Sequence, residues 1–577
     1  MESSTLGSML GHFDQAVEEI KALNLTPLGA GFNSLSIGDL RNALVAHRAT
    51  KKYEVPLAAA ANLRKEYSIS EVLNHDKHGL DSFDYRTLQP KHRRQFLMSQ
   101  AWLRDFFTGF KHTYQLRFPT GESLVSARGA TDLFYKLTHT KQWVISPDLV
   151  DYAVEILVRS RALKRIVIGR FRDTHASNGM LTLRRLRGDF LRMGHKASQW
   201  PKMAIKFMFR SVVTLHRASR VTVVPKDNSR DRVITCEALW TMICQLSYSS
   251  SLRDHMVSKL GIDLDFWQSV HRSLIRAGGA TIDLSKASDS NYMCVLRAMW
   301  PKNQYRTLEI MRTGLFLIDG TYTPLKMFAP MGTGCTFEVM TLTLLASVRS
   351  YDPGGTVFGD DIIIKTSDSE LSCFTSYLES MGWKINHQKS FTDGYFRESC
   401  GAFCDLRTDE FLVSYDFVRP TTLSECFTLA HKVLIVGNVV TGPLRKILVD
   451  LYTRLILIAP RDSMRVPIKY ETQHGANLTD SVLFVPESIF SCVAKVSGKA
   501  AQVLSQLWQR PVHVNRITFI ESVVTKSPKV INDVLYACYM RRGVYDVPSG
   551  RFKTRQIPCD LQTSVPIGAV SLFSVII

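Results

Sequence analysis

An α+β fold is what the sequence predicts, on three observations: helix-forming texture toward both ends, short apolar arms around polar tips in the middle, and no repeat or low-complexity linker between them. With 45% hydrophobic, 10% aromatic and 21% charged residues, the 577-residue chain has the composition of a globular protein, not of a disordered one. Setting 52 acidic against 72 basic residues leaves a formal charge of +20, which favours a polyanionic partner, nucleic acid ahead of a membrane surface. No run of about 18 uninterrupted apolar residues occurs, so no membrane span is expected. The start, Met1 to Gly11, is polar and carries Glu2, unlike a secretory signal. Eleven cysteines, an odd number beginning only at Cys236, read as free thiols of a reducing, intracellular compartment. His387, Cys400 and Cys404 lack an evident fourth ligand, so zinc is not expected of them.

In chain order, residues 12 to 68 read mostly as helices, with Ala58 to Lys65 a strong helix former, and 85 to 115 add a mixed aromatic and basic segment. From Arg159 to Arg220 basic residues thicken, as in "VRSRALKRIVIGRFRD", "LRRLRGDFLR" and "HRASR", with apolar residues between them. A basic wall along a channel and a solvated helix face are both readings of one such run; recurrence favours the wall. "VTVVPKDNSRDRVIT", residues 221 to 235, sets two apolar arms around a loop that concentrates Lys226, Arg230 and Arg232. Guanidinium forks there suit a triphosphate, because arginine makes bidentate phosphate contacts and lysine supplies a point charge.

The middle of the chain carries the chemistry. "AGGATIDLSKASDS", residues 277 to 290, is a short strand that delivers Asp283 at its end. "TVFGDDIII", residues 356 to 364, is a hairpin with Gly359 beside the tip and Asp360 and Asp361 exposed at it. Adjacent aspartates repel each other, and a divalent cation is the natural counter-charge. If Asp283 approaches Asp360, their oxygens can bridge two Mg²⁺ ions about 3.5 to 4 Å apart, the arrangement that nucleotidyl transfer requires. Consecutive strand residues point to opposite faces, which makes Asp360 the firmer ligand of the pair. "PMGTGCTFEVMTLTLLASVR", residues 330 to 349, is a glycine-rich loop opening an apolar helix. Gly332 and Gly334 permit close backbone approach, and Thr333 and Thr336 offer hydroxyls to a nucleotide ribose, to a template backbone or as a cap. Asp289 can accept a hydrogen bond from a ribose 2′-OH; an N-cap role for Asp289 or Ser288 is the structural alternative.

Taken in this order the motifs resemble those of the replicase subunit of small single-stranded RNA bacteriophages, the Qβ-like leviviruses. "VPKDNSRDRVI" is similar to their nucleotide-gripping finger motif, "IDLSKASDS" to motif A, "MGTGCTFE" to motif B and "FGDDIII" to motif C. "GWKINHQKSF" and "FRESCGAFCD", at 382 to 391 and 396 to 405, resemble motifs D and E. The resemblance implies a right-handed fingers, palm and thumb polymerase with an antiparallel palm sheet. Its parts would be an N-terminal helical extension over 1–60 that bridges fingers and thumb, fingers over 61–276, palm over 277–405, and a mainly helical thumb and C-terminal region over 406–577.

It also implies roles. Asp283, Asp360 and Asp361 take the metal positions, for two Mg²⁺ ions with Mn²⁺ able to substitute. Lys226, Arg230 and Arg232 take the triphosphate positions, and Ser288 with Asp289 the ribose-facing ones. Lys389 is implied as proton donor to pyrophosphate, with Lys384 an equal choice from sequence. Arg397 and Glu398 would support the nascent strand, an internal ion pair being the plain alternative. The implied activity is copying of a positive-strand phage genome and its complement from ribonucleoside triphosphates, with primer-independent initiation, in the cytoplasm of the infected bacterium. Implied partners are template and product RNA, host elongation factors Tu and Ts, and the large RNA-binding protein of the small ribosomal subunit.

Two positions depart from the pattern: Thr333 stands where the family has asparagine, and Phe358 where many members have tyrosine. A reverse transcriptase would need a bulky aromatic where this chain has Ala287, Ser288 and Asp289. A two-metal nuclease leaves the arginine loop unexplained, and a non-enzymatic RNA-binding protein leaves the Gly-Asp-Asp hairpin idle.

Overall fold

The computed structural model describes residues 2–458 apart from 54–57, 116–122, 125–136, 138–139, 141, 228–230, 319 and 422; beyond these it describes four strands, Ser463–Glu471, Asn477–Pro486, Phe519–Ile520 and Thr554–Arg555. Helix and sheet are mixed along the chain, as an α+β fold requires. Three helices open it: α1 (Glu2–Ala22), α2 (Ile37–Lys51) and α3 (Ala58–Lys77). Helix α2 starts where the Ser36 side chain accepts a hydrogen bond from the Asp39 N–H. The inward face of α1, Met9, Phe13, Val17 and Ile20, follows helical spacing and is buried in one cluster with Cys426, Leu429, Val433, Leu444 and Leu448. The N-terminal helix therefore packs on the C-terminal ones. Helix α3 instead lies against a central hairpin, its Val72 buried with Val221, Val233 and Phe316.

After α4 (Pro90–Phe106) and β1 (Trp143–Ile145), the basic stretch forms α5 (Val150–Arg159), the 32-residue α6 (Arg161–Arg192) and α7 (Trp200–Val212). Phe171, Leu183, Ile205 and Phe209 anchor α6 and α7 to the main core, while Arg184, Arg185 and Arg187 stay exposed. Strand β2 (Val213–Leu215) pairs in parallel with β1. The hairpin read at 221–235 is present: β3 (Ala218–Pro225) and β4 (Asp231–Cys236) pair antiparallel with Val224 opposite Arg232. Helix α8 (Leu239–Leu260) follows, then α9 (Leu264–Leu274).

Next come β5 (Ala280–Ile282), β6 (Leu284–Ser285), α10 (Met293–Met299), α11 (Lys302–Met311), β7 (Leu315–Ile318) and β8 (Thr321–Pro324). Strands β7 and β8 extend the hairpin into a sheet of order β4-β3-β7-β8. Helix α12 (Thr336–Arg349) has twelve of its fourteen residues buried, so it is a central helix that the sheets build on. A three-stranded antiparallel sheet of order β5-β10-β9 is formed with β9 (Thr356–Phe358) and β10 (Asp361–Ile364). After α13 (Asp368–Ser380), β11 (Lys384–Ile385) pairs with β6, and β12 (Phe396–Ser399), β13 (Ala402–Asp405) and β14 (Glu410–Phe411) form a further sheet. Two helices, α14 (Leu423–Gly437) and α15 (Gly442–Ile458), meet at a break with a glycine on each side. The region over 406–577 was expected to be mainly helical; among its described residues, two helices run as far as Ile458 and those beyond it are in strands, most of the region lying outside the described residues. No helix among the described residues is long and apolar enough to cross a membrane.

Candidate active site

Strand pairing brings the three aspartates together. Ile282 lies opposite Ile362, so Asp283 and Asp361 follow as the next facing positions where β5 and β10 end. Asp361 is also paired with Phe358, which leaves Gly359 and Asp360 as the two residues of the turn. Gly359 sits at φ +67°, and a Cβ there would come within 2.6 Å of the Phe337 ring. Its N–H donates to Thr341 Oγ1 at 3.1 Å, pressing the turn onto α12.

Burial burdens all three carboxylates. Burial raises the Asp283 pKa above the ordinary carboxylate value, and the charge of Asp360 adds to the rise while Lys389 and Asn386 oppose it. Asp360 is raised chiefly by burial, against the pull of Lys226, Lys389 and Arg232. Asp361 is held well above its usual range by burial, then by Glu398, Asp360 and Asp283. Glu398 is pushed up to about 7 by burial and by Asp283. A fourth carboxylate thus joins the three.

Two segments wrap this centre. Asn386 donates its side-chain amide to Asp283 Oδ2 at 2.6 Å and its N–H to the Asp283 carbonyl at 2.9 Å. Ser390 Oγ accepts from the Asp283 N–H at 3.1 Å. Neither was singled out from sequence, although both lie in the D-like stretch. The same wrapping separates the two lysines: Lys389 acts on Asp283, Asp360 and Glu398, whereas Lys384 acts on His75. On the other side, the Cys400 N–H at the β12–β13 turn donates to Asp361 Oδ2 at 3.1 Å. Arg272 of α9 holds that turn through the Cys400 carbonyl, at 3.2 and 3.1 Å. Arg397 faces away from the carboxylates: it is buried and donates to the carbonyls of Gly279, Asp393, Gly394 and Phe396. Glu398 stands among the aspartates without Arg397 as its partner.

The β3–β4 hairpin supplies the cations. Lys226 is half-buried, its pKa lowered by burial and by Lys389 and Arg232. Arg232 is exposed, and its charge reaches Asp360. Arg230 lies outside the described residues. Arg64 of α3 braces the hairpin by pairing with Asp231 at 2.8 Å.

The glycine loop is arranged differently from the expectation of hydroxyls facing a nucleotide. Met331 and Gly332 are exposed, but Thr333 and Thr336 are buried. Thr333 Oγ1 donates to Glu237 Oε1 at 2.8 Å, and Thr336 Oγ1 to the Pro330 carbonyl at 3.2 Å. Gly332, at φ +111°, lies so close to Thr235 that an added Cβ would meet its carbonyl oxygen at 2.3 Å. The close approach that glycine permits here is to the chain itself. Ser288 and Asp289 are buried in a 3-10 turn, Ser288 Oγ donating to Asp289 Oδ1 at 3.3 Å, and neither caps a helix. Burial lifts Asp289 to about 6, and its charged neighbours are Lys286, Asp76 and Glu71, so it belongs to the α3 side.

Among the described residues, no group of three or more His, Cys, Asp or Glu side chains stands closely enough to hold a metal ion by itself. Buried hard carboxylate oxygens with raised pKa values nonetheless suit Mg²⁺. That ion is usually held by one or two carboxylates and completed by waters and substrate phosphates, not by an all-protein cage. With cations on the facing hairpin, the arrangement can seat a polyphosphate between the Lys226 and Arg232 side chains and the carboxylate floor.

Comparison with known proteins places the chain in a family. The profile described as "RNA replicase, beta-chain" matches residues 102–415, more than half of the chain, and the protein belongs to that family. Among its relatives, the RNA-directed RNA polymerase subunit beta of Enterobacteria phage SP is 35% identical over 197 residues, 32% of this chain and 34% of that one. The beta chain of Escherichia phage MS2 is 32% identical over 241 residues, 39% of this chain and 43% of that one. That of Enterobacteria phage fr is 29% identical over 283 residues, 46% and 50%. These alignments span a third to a half of each relative's length. Among solved structures, one titled "RdRp complex" aligns with 70% of this chain and 38% of its own at 11% identity and a TM-score of 0.36.

Proposed function

We propose that the protein is an RNA-directed RNA polymerase that copies a positive-strand RNA phage genome through its complement. The observation that carries the reading is the action of Lys226 and Lys389 on both Asp283 and Asp360, and of Arg232 on Asp360, with Asp361 beside them, in a chain of the replicase beta-chain family. In this reading β5, β9 and β10 are the palm floor and β3–β4 belongs to the fingers. Helices α14 and α15 open the thumb, and the first sixty residues bridge fingers and thumb.

Asp283, Asp360 and Asp361 would hold two Mg²⁺ ions, or Mn²⁺ in their place. Such ions, when bound, lower the pKa of an attacking hydroxyl and offset charge on a leaving pyrophosphate. The chain's own groups do the rest. Lys226 and Arg232 grip the incoming triphosphate from the fingers side, Arg232 as a bidentate fork and Lys226 as a point charge. Asn386 and Ser390 fix the backbone and carboxylate of Asp283 so that one oxygen stays free for the ligand. Lys389, placed beside the aspartates, is the proton donor to pyrophosphate. Asp289 and Ser288 take part in sugar selection only if the 3-10 turn opens, because both are buried in the free protein. Initiation without a primer, elongation factors Tu and Ts, the large RNA-binding protein of the small ribosomal subunit and residence in the bacterial cytoplasm are carried by the family resemblance.

The test supplies purified protein with an RNA template, the four ribonucleoside triphosphates and Mg²⁺, with host factors added separately. Template-dependent RNA from the native chain and none from Asp360→Asn, with RNA binding retained in both, is the expected result. Equal synthesis by both proteins would sink the site, and efficient use of deoxynucleotides would overturn the polymerase type.

A further inference from the structure

The glycine loop is fastened from one direction. Thr235, in the last turn of pairing on β4, donates its N–H to the Met331 carbonyl at 2.8 Å and its hydroxyl to the same oxygen at 3.3 Å. Two residues on, the buried Glu237 accepts from Thr333 Oγ1 at 2.8 Å on one carboxylate oxygen and from Thr313 Oγ1 at 2.7 Å on the other. Eight residues further, on α8, the buried Gln245 accepts the Gly334 N–H at 3.1 Å and donates to the Met311 carbonyl at 2.8 Å. Glu237 and Gln245 therefore make the same bridge twice, from the 311–313 segment that leads into β7 to the 333–334 tip of the loop. Both belong to the stretch that continues directly from the strand carrying Arg232.

We propose that Glu237 and Gln245 are positioning residues: a two-rung staple through which the phosphate-facing hairpin sets the place of the glycine loop. A rung of this kind is stiff because both ends are buried, so breaking it leaves polar groups without partners and the loop free to move. A loop that moves presents Met331 and Gly332 wrongly to whatever lies over the carboxylate floor. The consequence for nucleotide use rests on the polymerase reading above; the staple itself does not.

Two measurements separate these levels. Hydrogen exchange of the amides over 330–336 is followed in the native chain, Glu237→Ala, Thr333→Val, the double variant and Glu237→Gln. The single variants are expected to speed exchange at least about tenfold, a loss of one to two buried hydrogen bonds. The double variant is expected to add little, because both substitutions break one rung. Glu237→Gln keeps near-native exchange, since its amide can accept from one hydroxyl and donate to the other. Unchanged exchange in Glu237→Ala, or a double variant that multiplies the single effects, would overturn the staple. In RNA synthesis, Glu237→Ala is expected to raise KM for nucleotide more than it lowers kcat. A merely structural loss would lower the active fraction with KM unchanged, and that result would overturn the positioning role. If the native chain makes no RNA, the polymerase reading falls while the exchange result still decides the staple.

Discussion

The carboxylate turn and the glycine loop are both glycine-hinged and rich in polar side chains, the one pressed on α12 and the other leading into it, yet they settle their polar groups in opposite ways. At the turn, burial raises the pKa of Asp283, Asp360, Asp361 and Glu398, neighbouring carboxylates add to the rise at Asp283, Asp361 and Glu398, and the chain leaves that repulsion standing. At the loop, the hydroxyls of Thr333 and Thr336 and the N–H of Gly334 each have a partner in the chain. A site held in tension is built to receive a counter-charge from outside; a site that is internally satisfied is built to stay where it is. The difference assigns chemistry to the first and placement to the second.

The strongest way to break that comparison is Asp360→Asn. Removing one charge from the turn is expected to cost at least about a thousandfold in RNA synthesis while leaving thermal stability equal or higher, because repulsion is relieved. A large fall in melting temperature would mean that Asp360 serves the fold. Next in size, Gly332→Ala forces a Cβ against the Thr235 carbonyl at a positive φ, and a destabilisation of about 1–3 kcal/mol in denaturant unfolding is expected. Unchanged stability would mean that the loop is not closed on itself.

A third test uses pH. Burial pushes Glu237 from 4.5 up to about 7, so the folded state holds its proton where the unfolded chain has lost it. The resulting stability is fully present below about 4.5 and is lost as pH rises through about 7, a span worth at most about 3 kcal/mol. Glu237→Gln has no proton to lose, so the difference in unfolding free energy between native chain and variant should drift in favour of the variant across that window. A difference that stays constant from pH 4.5 to 7.5 contradicts the assignment. The smallest expected effect is that of Phe358→Tyr. The ring packs edge-on against Phe337, with centroids 5.0 Å apart, so adding a hydroxyl should alter stability by less than about 0.5 kcal/mol.

Much of this was legible in the sequence because it is local. Period-two apolar arms and the glycine beside Asp360 mark the two hairpins, and the apolar run after Thr336 marks the buried helix. The glycine at 437 and the one at 442 mark the break between the last two helices. What was illegible depends on partners far along the chain. Lys384 and Lys389 look alike until β11 carries one toward His75 and the following turn carries the other back to Asp283. Thr333 reads equally as a nucleotide contact and as a helix cap until Glu237, an unremarkable residue after a strand, is seen to take its hydroxyl. Asn386 and Ser390 stood inside a recognised motif, but only the return of that segment onto β5 shows what they hold. Arg397 and Glu398 are neighbours in sequence, and strand alternation sends them to different surroundings.

In the proposed function the carboxylate turn awaits a cation, and Mn²⁺ binding followed by electron paramagnetic resonance on the purified chain tests this most directly. Saturable binding to the native protein, weakened at least about tenfold by either Asp283→Asn or Asp360→Asn and untouched by Glu237→Gln, is the predicted result. Equal Mn²⁺ affinity in the native chain and both aspartate variants would contradict it.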